Sequence, residues 1–169
     1  LIDRMVRSGA YLNPCLVNEH QAVLPQTVQF EHEAYLLLTR PELRYVPLDA
    51  VLSSLSFWHK VRNYDRALGS FPYIESLDAG LAAEFRRGYL RAQEFVRRYA
   101  AAGGVIFAGT DSAGSASVPG LSLHQELELL VDAGMTPMQV LQAATITPAR
   151  MVGKQGDIGT LERGKIADL

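Results

Sequence analysis

The sequence has little of several things, and each shortage excludes a class of protein. Its 169 residues include one cysteine, Cys15, which excludes an internal disulfide framework and a zinc site built from cysteines. Lys and Arg number 16 against 18 Asp and Glu, so the net charge of −2 gives no electrostatic basis for binding nucleic acid or anionic membrane. No apolar run approaches the ~20 residues of a membrane span. The first residues do not have the pattern of a signal peptide, and we expect a cytoplasmic protein.

What is present is typical of a globular α/β protein, with 48% hydrophobic and 20% charged residues. Ala10–Asn13 predicts a strand, Asp78–Ala102 predicts a helix with an arginine-rich solvated face, and Val105–Asp111 predicts a second, buried strand. A strand, a helical crossover and a parallel strand form a βαβ unit. Asn13–His20 is expected to be the loop after the first strand.

Further elements are predicted by caps and periodicity. Helices are expected at Leu1–Arg7, Glu31–Leu38, Leu48–Val61, Leu121–Ala133, Pro137–Ala144 and from Thr147-Pro148 to Val152, then glycine-rich turns at Gly153–Lys165 and a strand beginning at Ile166. On Leu121–Ala133, Leu123, Leu127 and Leu130 are expected to share the buried face. Glu126 and Glu128 are interpreted as first-turn acids that suit the helix dipole.

Asp111 is the residue with the strongest functional signal. It ends the apolar run from Val105, and a Gly/Ser-rich loop from Ser112 to Gly120 follows. In parallel α/β folds the carboxyl ends of strands face the active-site crevice, where a carboxylate can bind a metal or move a proton. The alternative is an aspartate that caps a helix or holds a turn.

Three segments together resemble the amidohydrolase superfamily, in its imidazolonepropionase- and prolidase-like branch. They are Ala108–Ser112 (AGTDS), Ser122–Pro137 (SLHQELELLVDAGMTP) and Ala143–Arg150 (AATITPAR) running on to Gly156–Leu169 (GDIGTLERGKIADL). The resemblance is strong from Ala102 to Leu169 and moderate from Leu1 to Leu16. It implies the C-terminal part of a (β/α)8 TIM barrel at residues 1–153, with strands seven and eight. Residues 154–169 would then start the return to a small β-sandwich.

The resemblance also implies a site and a gap. Asp111 matches the family's aspartate at the end of barrel strand eight, which touches the metal and moves the proton. The HxH pair and the other ligands of the family would precede Leu1, and this sequence contains no HxH. We therefore expect a fragment of a metal-dependent protein. Its divalent metal, expected to be zinc as one or two ions, would have most of its ligands upstream of Leu1.

Other candidate residues have open interpretations. His124 and Ser112 are expected to support Asp111 or contact the substrate, although a histidine packed at the helix start is an equal alternative for His124. His20, His32 and His59 are more typical of surface or packing histidines than of ligands. Lys165 ends a P-loop-like spacing from Gly159, but Ile166 follows in place of the required hydroxyl residue.

Two functional hypotheses follow. The first is a hydrolase of amides, cyclic amides or dipeptides that uses metal-activated water with Asp111 as ligand and proton shuttle, inactive as the isolated fragment. The second is a non-catalytic amidohydrolase-like protein that serves assembly or partner binding. A free-standing α/β binding domain is a weaker third, and a homo-oligomer is left open.

Overall fold

The computed structural model describes residues 1–23, 39–49, 51, 79–112 and 118–167. The elements are α1 (Ile2–Arg7), β1 (Tyr11–Leu12), α2 (Leu16–Val23), a 3₁₀ turn (Pro41–Tyr45), α3 (Ala79–Ala101), β2 (Val105–Ile106), α4 (Leu121–Asp132), α5 (Pro137–Ala144) and α6 (Ile146–Met151). The predicted helix Glu31–Leu38 and most of Leu48–Val61 lie outside the described residues. None of the helices in these ranges combines the length and hydropathy needed to span a bilayer.

The chain divides into two compact units. The first contains Leu1–Cys15, Arg91–Gly109 and Gln125–Leu169, and the second contains Leu16–Leu90 and Thr110–His124. The boundary expected between residues 153 and 154 stays a prediction.

A parallel strand pair organises the first unit and confirms the predicted β–α–β order. Tyr11 of β1 pairs with Val105 of β2, and Leu12 pairs with Ile106. The second strand is shorter than predicted, because its backbone donors find other partners. The Phe107 amide still donates to Leu12 at 3.0 Å, but the Ala108 amide donates to the carbonyl of Ala143 at the end of α5, at 2.9 Å.

Two side chains of α3 are fully inside the first unit. Val96 is 1% exposed and Tyr99 is 0% exposed, and the Tyr99 ring stacks on Phe95 with 6.1 Å between centroids. The arginines of this helix are exposed as predicted. Leu90 of the same helix does not belong to its buried face, since it is 51% exposed.

The buried face of α4 is not the one that the leucine spacing indicated. Leu130 is buried as expected, but Leu123 and Leu127 are half-buried, while Ser122 and Glu126 are 3% and 0% exposed. The helix is therefore rotated relative to the predicted leucine stripe, and its interior face carries two polar side chains. The interpretation of Glu126 and Glu128 as first-turn acids is wrong, because α4 begins at Leu121 and its first turn contains no acidic residue.

Helix α5 has the predicted start. Thr136 is its N-cap and forms a capping box with Gln139, and Pro137 occupies the first helical position. The next start was predicted wrongly at Thr147, because α6 begins at Ile146 after the single residue Thr145. The Thr145 hydroxyl donates back to the Leu141 carbonyl at 2.7 Å and does not cap α6.

The segment after α6 is a series of turns, as predicted. The Lys165 ammonium donates to the carbonyl of Gln155 at 2.8 Å and to the hydroxyl of Thr160, and it pairs with the Glu162 carboxylate at 3.0 Å. Lys165 thus links residues of the same turn, as expected of a structural lysine and not of a phosphate-binding one. Ile166 and Ala167 are not in a strand, and the last two residues lie outside the described part.

Candidate functional site

Asp111 follows β2 in the chain and has an unusual backbone. Its φ is +48°, and Cys15, which follows β1, is the other non-glycine residue of the described ranges with a positive φ. The left-handed region is uncommon for residues with a Cβ, and such strain is concentrated at functional sites. The Asp111 side chain is exposed. A strained, accessible carboxylate fits the predicted functional role, and the solvent exposure is also what a surface turn would show.

The Asp111 carboxylate has a partner from a distant part of the sequence. The side-chain amide of Asn18 donates to Asp111 Oδ2 at 3.3 Å. Asn18 lies in the first turn of α2, directly after Leu16 and Val17, which are both 0% exposed. These two anchors hold the start of α2, so Asn18 meets Asp111 from a fixed backbone. The predicted loop Asn13–His20 is therefore partly helical, since α2 begins at Leu16.

A chain of hydroxyl groups brackets Asp111. Thr110 Oγ1 and Ser112 Oγ, from the residues on either side of it, are 2.5 Å apart. Ser112 Oγ lies 3.0 Å from Ser122 Oγ, and Ser122 donates to the Val118 carbonyl at 2.8 Å. Ser122 is buried in the first turn of α4, so these hydrogen bonds connect the segment around Asp111 to the start of that helix.

The direction of this chain follows from its last acceptor. A carbonyl oxygen cannot donate, so the single hydrogen of Ser122 is committed to Val118, and Ser122 accepts from Ser112. The hydrogen of Ser112 is then used, and Thr110 must be the donor to Ser112. Ser112 can therefore accept a hydrogen bond from a ligand but has no hydrogen left to donate. A substrate group that contacts Ser112, as predicted, would have to be a donor.

The predicted histidines have different surroundings. His124 is an exposed residue of α4, and no hydrogen bond or ion pair joins it to Asp111 in the described part of the chain, so its role stays a prediction. His20 packs its ring against Tyr89 with 5.4 Å between centroids, as a packing histidine does. His32 and His59 lie outside the described residues.

A metal site needs several ligands close together. Among residues 1–23, 39–49, 51, 79–112 and 118–167, no three His, Cys, Asp or Glu side chains are grouped so that they could hold a metal ion. Structural and catalytic zinc sites take three or four protein ligands. Asp111 fits one position of such a site, and the described residues do not fit a complete one.

Sequence reasoning missed three residues of this cluster: Asn18, Thr110 and Ser122. Thr110 could have been found, because the triplet Thr110-Asp111-Ser112 places two hydroxyls around the candidate carboxylate. Asn18 and Ser122 depend on tertiary contacts, and the sequence carries no local pattern that points to either.

Two comparisons with known proteins bear on this arrangement. The sequence model of the amidohydrolase family matches residues 83–169, slightly more than half of the chain and including Asp111. A crystal structure of a Xaa-Pro dipeptidase with bound methionine in its active site is similar over 98% of this chain, with a TM-score of 0.55 and 18% identity. The chain spans 29% of that dipeptidase, so the likeness concerns the fold of that part alone. No curated protein sequence matches the chain significantly.

Proposed function

This chain belongs to the amidohydrolase family, and we propose that the natural protein containing it hydrolyses C–N bonds with a divalent metal. The observation that carries the proposal is Asp111, an exposed carboxylate with a left-handed backbone, inside the matched range and held by a side chain 93 residues away. A surface turn would account for the left-handed backbone of an aspartate, but it does not require a side-chain tether from 93 residues away.

Asp111 can perform two tasks in such a reaction. One oxygen, Oδ2, accepts from Asn18, while Oδ1 has no hydrogen-bond partner within the described ranges and is open to a cation or a water. A carboxylate in this position can accept a proton from an attacking water and return it to the departing nitrogen. We assign both the ligand role and the proton-transfer role to Asp111.

The metal belongs to the proposal on the strength of the family and of this one carboxylate. When bound, a zinc ion supplies a water whose pKa is close to neutral. Asp111 is the ligand that we assign among the described residues, so the remaining ligands would come from other parts of this chain or of the natural protein. Zinc as one or two ions and a cytoplasmic location stay predictions.

The substrate class is proposed as an amide, a cyclic amide or a dipeptide. The similar structure is described as a Xaa-Pro dipeptidase, which makes dipeptides ending in proline the first substrates to test. A likeness of fold warrants the reaction class only, because substrate contacts come from loops.

The second candidate is a non-catalytic amidohydrolase-like protein for assembly or partner binding, which would need no complete set of metal ligands. The two candidates differ in what Asp111 is needed for. In the enzyme it is needed for turnover, whereas in the non-catalytic protein its replacement changes nothing but local stability.

The test is Asp111→Asn in the natural protein that contains this chain, assayed with zinc and proline-terminated dipeptides. Asparagine accepts a left-handed φ as readily as aspartate does, so the variant should fold normally. It cannot take up a proton, and kcat is expected to fall by about 100-fold or more.

Asp132→Asn is the matched control, because Asp132 is an exposed carboxylate at the end of α4. It is expected to keep the native kcat. Full activity of Asp111→Asn would exclude the proposed role of Asp111, and a natural protein that hydrolyses neither dipeptides nor cyclic amides would favour the non-catalytic candidate.

A further inference from the structure

We propose that Asn18 and Ser122 are positioning residues that hold Asp111 in its reactive conformation. This proposal rests on the proposed function, since it concerns the same carboxylate. Neither side chain is expected to touch the reacting atoms. Ser122 would act on the backbone around Asp111 through the hydroxyl chain, and Asn18 would act on the carboxylate itself.

The backbone at Asp111 departs from an extended chain. Side chains two residues apart on an extended chain share a face but stand well separated. At 2.5 Å, the Thr110 and Ser112 oxygens are far closer than that, which is possible because the backbone between them has a φ of +48° at Asp111. The hydroxyl bridge thus joins the residues on either side of Asp111, which is itself exposed to solvent.

Ser122 anchors this hydroxyl bridge to α4. A bridge between two neighbouring surface hydroxyls would be easily replaced by water. Here Ser112 also donates to Ser122, which is 3% exposed and committed to the Val118 carbonyl. The buried end of the chain therefore fixes the bridge to α4, and removal of one hydroxyl releases the turn.

The Asn18 amide is oriented by the Asp111 carboxylate. Its nitrogen faces Asp111 Oδ2, and its own oxygen, Oδ1, is buried with no hydrogen-bond partner in the described part of the structure. Reversing the amide would place an oxygen against the carboxylate, so Asp111 determines its orientation. A buried acceptor without a partner opposes folding, and its retention is explained if the donor is needed at Asp111.

A substitution of Asn18 can separate a positioning role from a role in supporting the fold. Asn18→Leu keeps the size of the side chain and removes both the donor and the unsatisfied oxygen. We expect an unfolding temperature equal to or above that of the natural protein, together with a kcat about 10-fold to 100-fold lower and a KM that is little changed. A residue that only supports the fold would lower the unfolding temperature and leave kcat intact.

Ser122→Ala tests the anchor by direct measurement of geometry. Crystal structures of the metal-free natural protein and its variants report φ at Asp111 without reference to activity. We expect φ to leave the left-handed region in Ser122→Ala and to keep it in Ser122→Thr, which restores the hydroxyl. Ser8→Ala, which removes an exposed hydroxyl bonded to Met5 at 2.7 Å, is the control and should change neither φ nor kcat.

The outcomes separate the two proposals. If Asp111→Asn keeps its activity, the proposed role of Asp111 fails, and a natural protein without hydrolase activity contradicts the proposed function itself. If Asp111→Asn is inactive while Asn18→Leu keeps its kcat and Ser122→Ala keeps its φ, the positioning proposal fails and the proposed function stands. Should Ser122→Ala not fold, Ser112→Ala breaks the same chain at a less buried position and is read by the same two measurements.

Discussion

Tyr99 donates its phenolic hydrogen to the backbone carbonyl of Ala10 at 2.6 Å. The two residues are 89 positions apart, and Tyr99 is 0% exposed. Ala10 directly precedes β1, so this bond fastens α3 to the start of the strand pair. The tyrosine oxygen is thus satisfied inside the first unit, as a buried hydroxyl requires.

Tyr99→Phe is expected to lower the free energy of unfolding by about 1 kcal/mol, because the ring stays packed while the carbonyl loses its donor. Urea unfolding followed by circular dichroism measures the change. Tyr11→Phe is the matched control, since Tyr11 is 43% exposed, and it should have no measurable effect. Equal stabilities of the two variants would show that the Tyr99 hydroxyl contributes nothing.

Gly104 is required by the same aromatic ring. A Cβ at this position would lie 2.4 Å from Tyr99 Cε1, so Gly104→Ala has to displace a buried side chain. We expect a loss of about 1 to 3 kcal/mol in the free energy of unfolding. Gly88→Ala provides the contrast, because nothing lies within 4 Å of a Cβ there. Gly88 is in the interior of α3, where alanine should stabilise by about 0.5 to 1 kcal/mol. Thermal midpoints that shift in the same direction would contradict this explanation.

The capping box at Thr136 should account for the stability of α5. Thr136→Ala removes the oxygen that accepts from the Gln139 amide at 3.3 Å, and a loss of about 1 kcal/mol is expected. Thr136→Ser retains that oxygen and should recover most of the loss. Denaturant midpoints of the three proteins make the comparison, and a stability of the serine variant no better than alanine would contradict the capping role.

Elements that depend on local chemistry were predictable from the sequence. The βαβ order, the Thr136 cap and the arginine face of α3 follow from periodicity and capping residues, and each is present. The prediction of a helix start at Thr147 was wrong because the single residue Thr145 both ends α5 and precedes α6. Pro148 then occupies the third position of α6, where a missing amide hydrogen is harmless.

Asp111 is the part of the candidate site that the sequence indicates most clearly. It could be proposed as a candidate because it ends an apolar run before a glycine-rich loop. Asn18 is separated from it by 93 residues, and the polar interior face of α4 with Ser122 contradicts the leucine spacing on which periodicity depends. Tertiary contacts of this kind leave no pattern in a single sequence.

The turn that Lys165 closes should depend on pH through Glu162. The hydrogen bond from Lys165 and then that from Thr160 lower the pKa of the Glu162 carboxyl group. A lowered folded-state pKa gives stability that is present above the unfolded pKa of the group and is lost as pH falls through the folded pKa. The carboxylate is 65% exposed, so this contribution is small, and the titration itself is the better readout.

Carboxyl NMR shifts followed against pH should show the Glu162 midpoint moving upward in Lys165→Met. Lys154→Met is the control, because Lys154 pairs with Asp157 at 3.7 Å between exposed groups and is not among the groups that lower the Glu162 pKa. An unchanged Glu162 midpoint in Lys165→Met would show that the ammonium group is not the cause.

We expect the 169-residue chain on its own not to bind zinc tightly. Tight zinc binding takes three or four protein ligands, and the described residues group no three candidate ligands together. Calorimetric titration of the isolated chain with zinc chloride should therefore reveal no sub-micromolar site, and the chain should hydrolyse no dipeptide. The natural protein that contains it should bind zinc tightly, and Asp111→Asn should weaken that binding. A tight site in the isolated chain, unaffected by Asp111→Asn, would mean that the ligands lie among residues outside the described ranges and that Asp111 is not one of them.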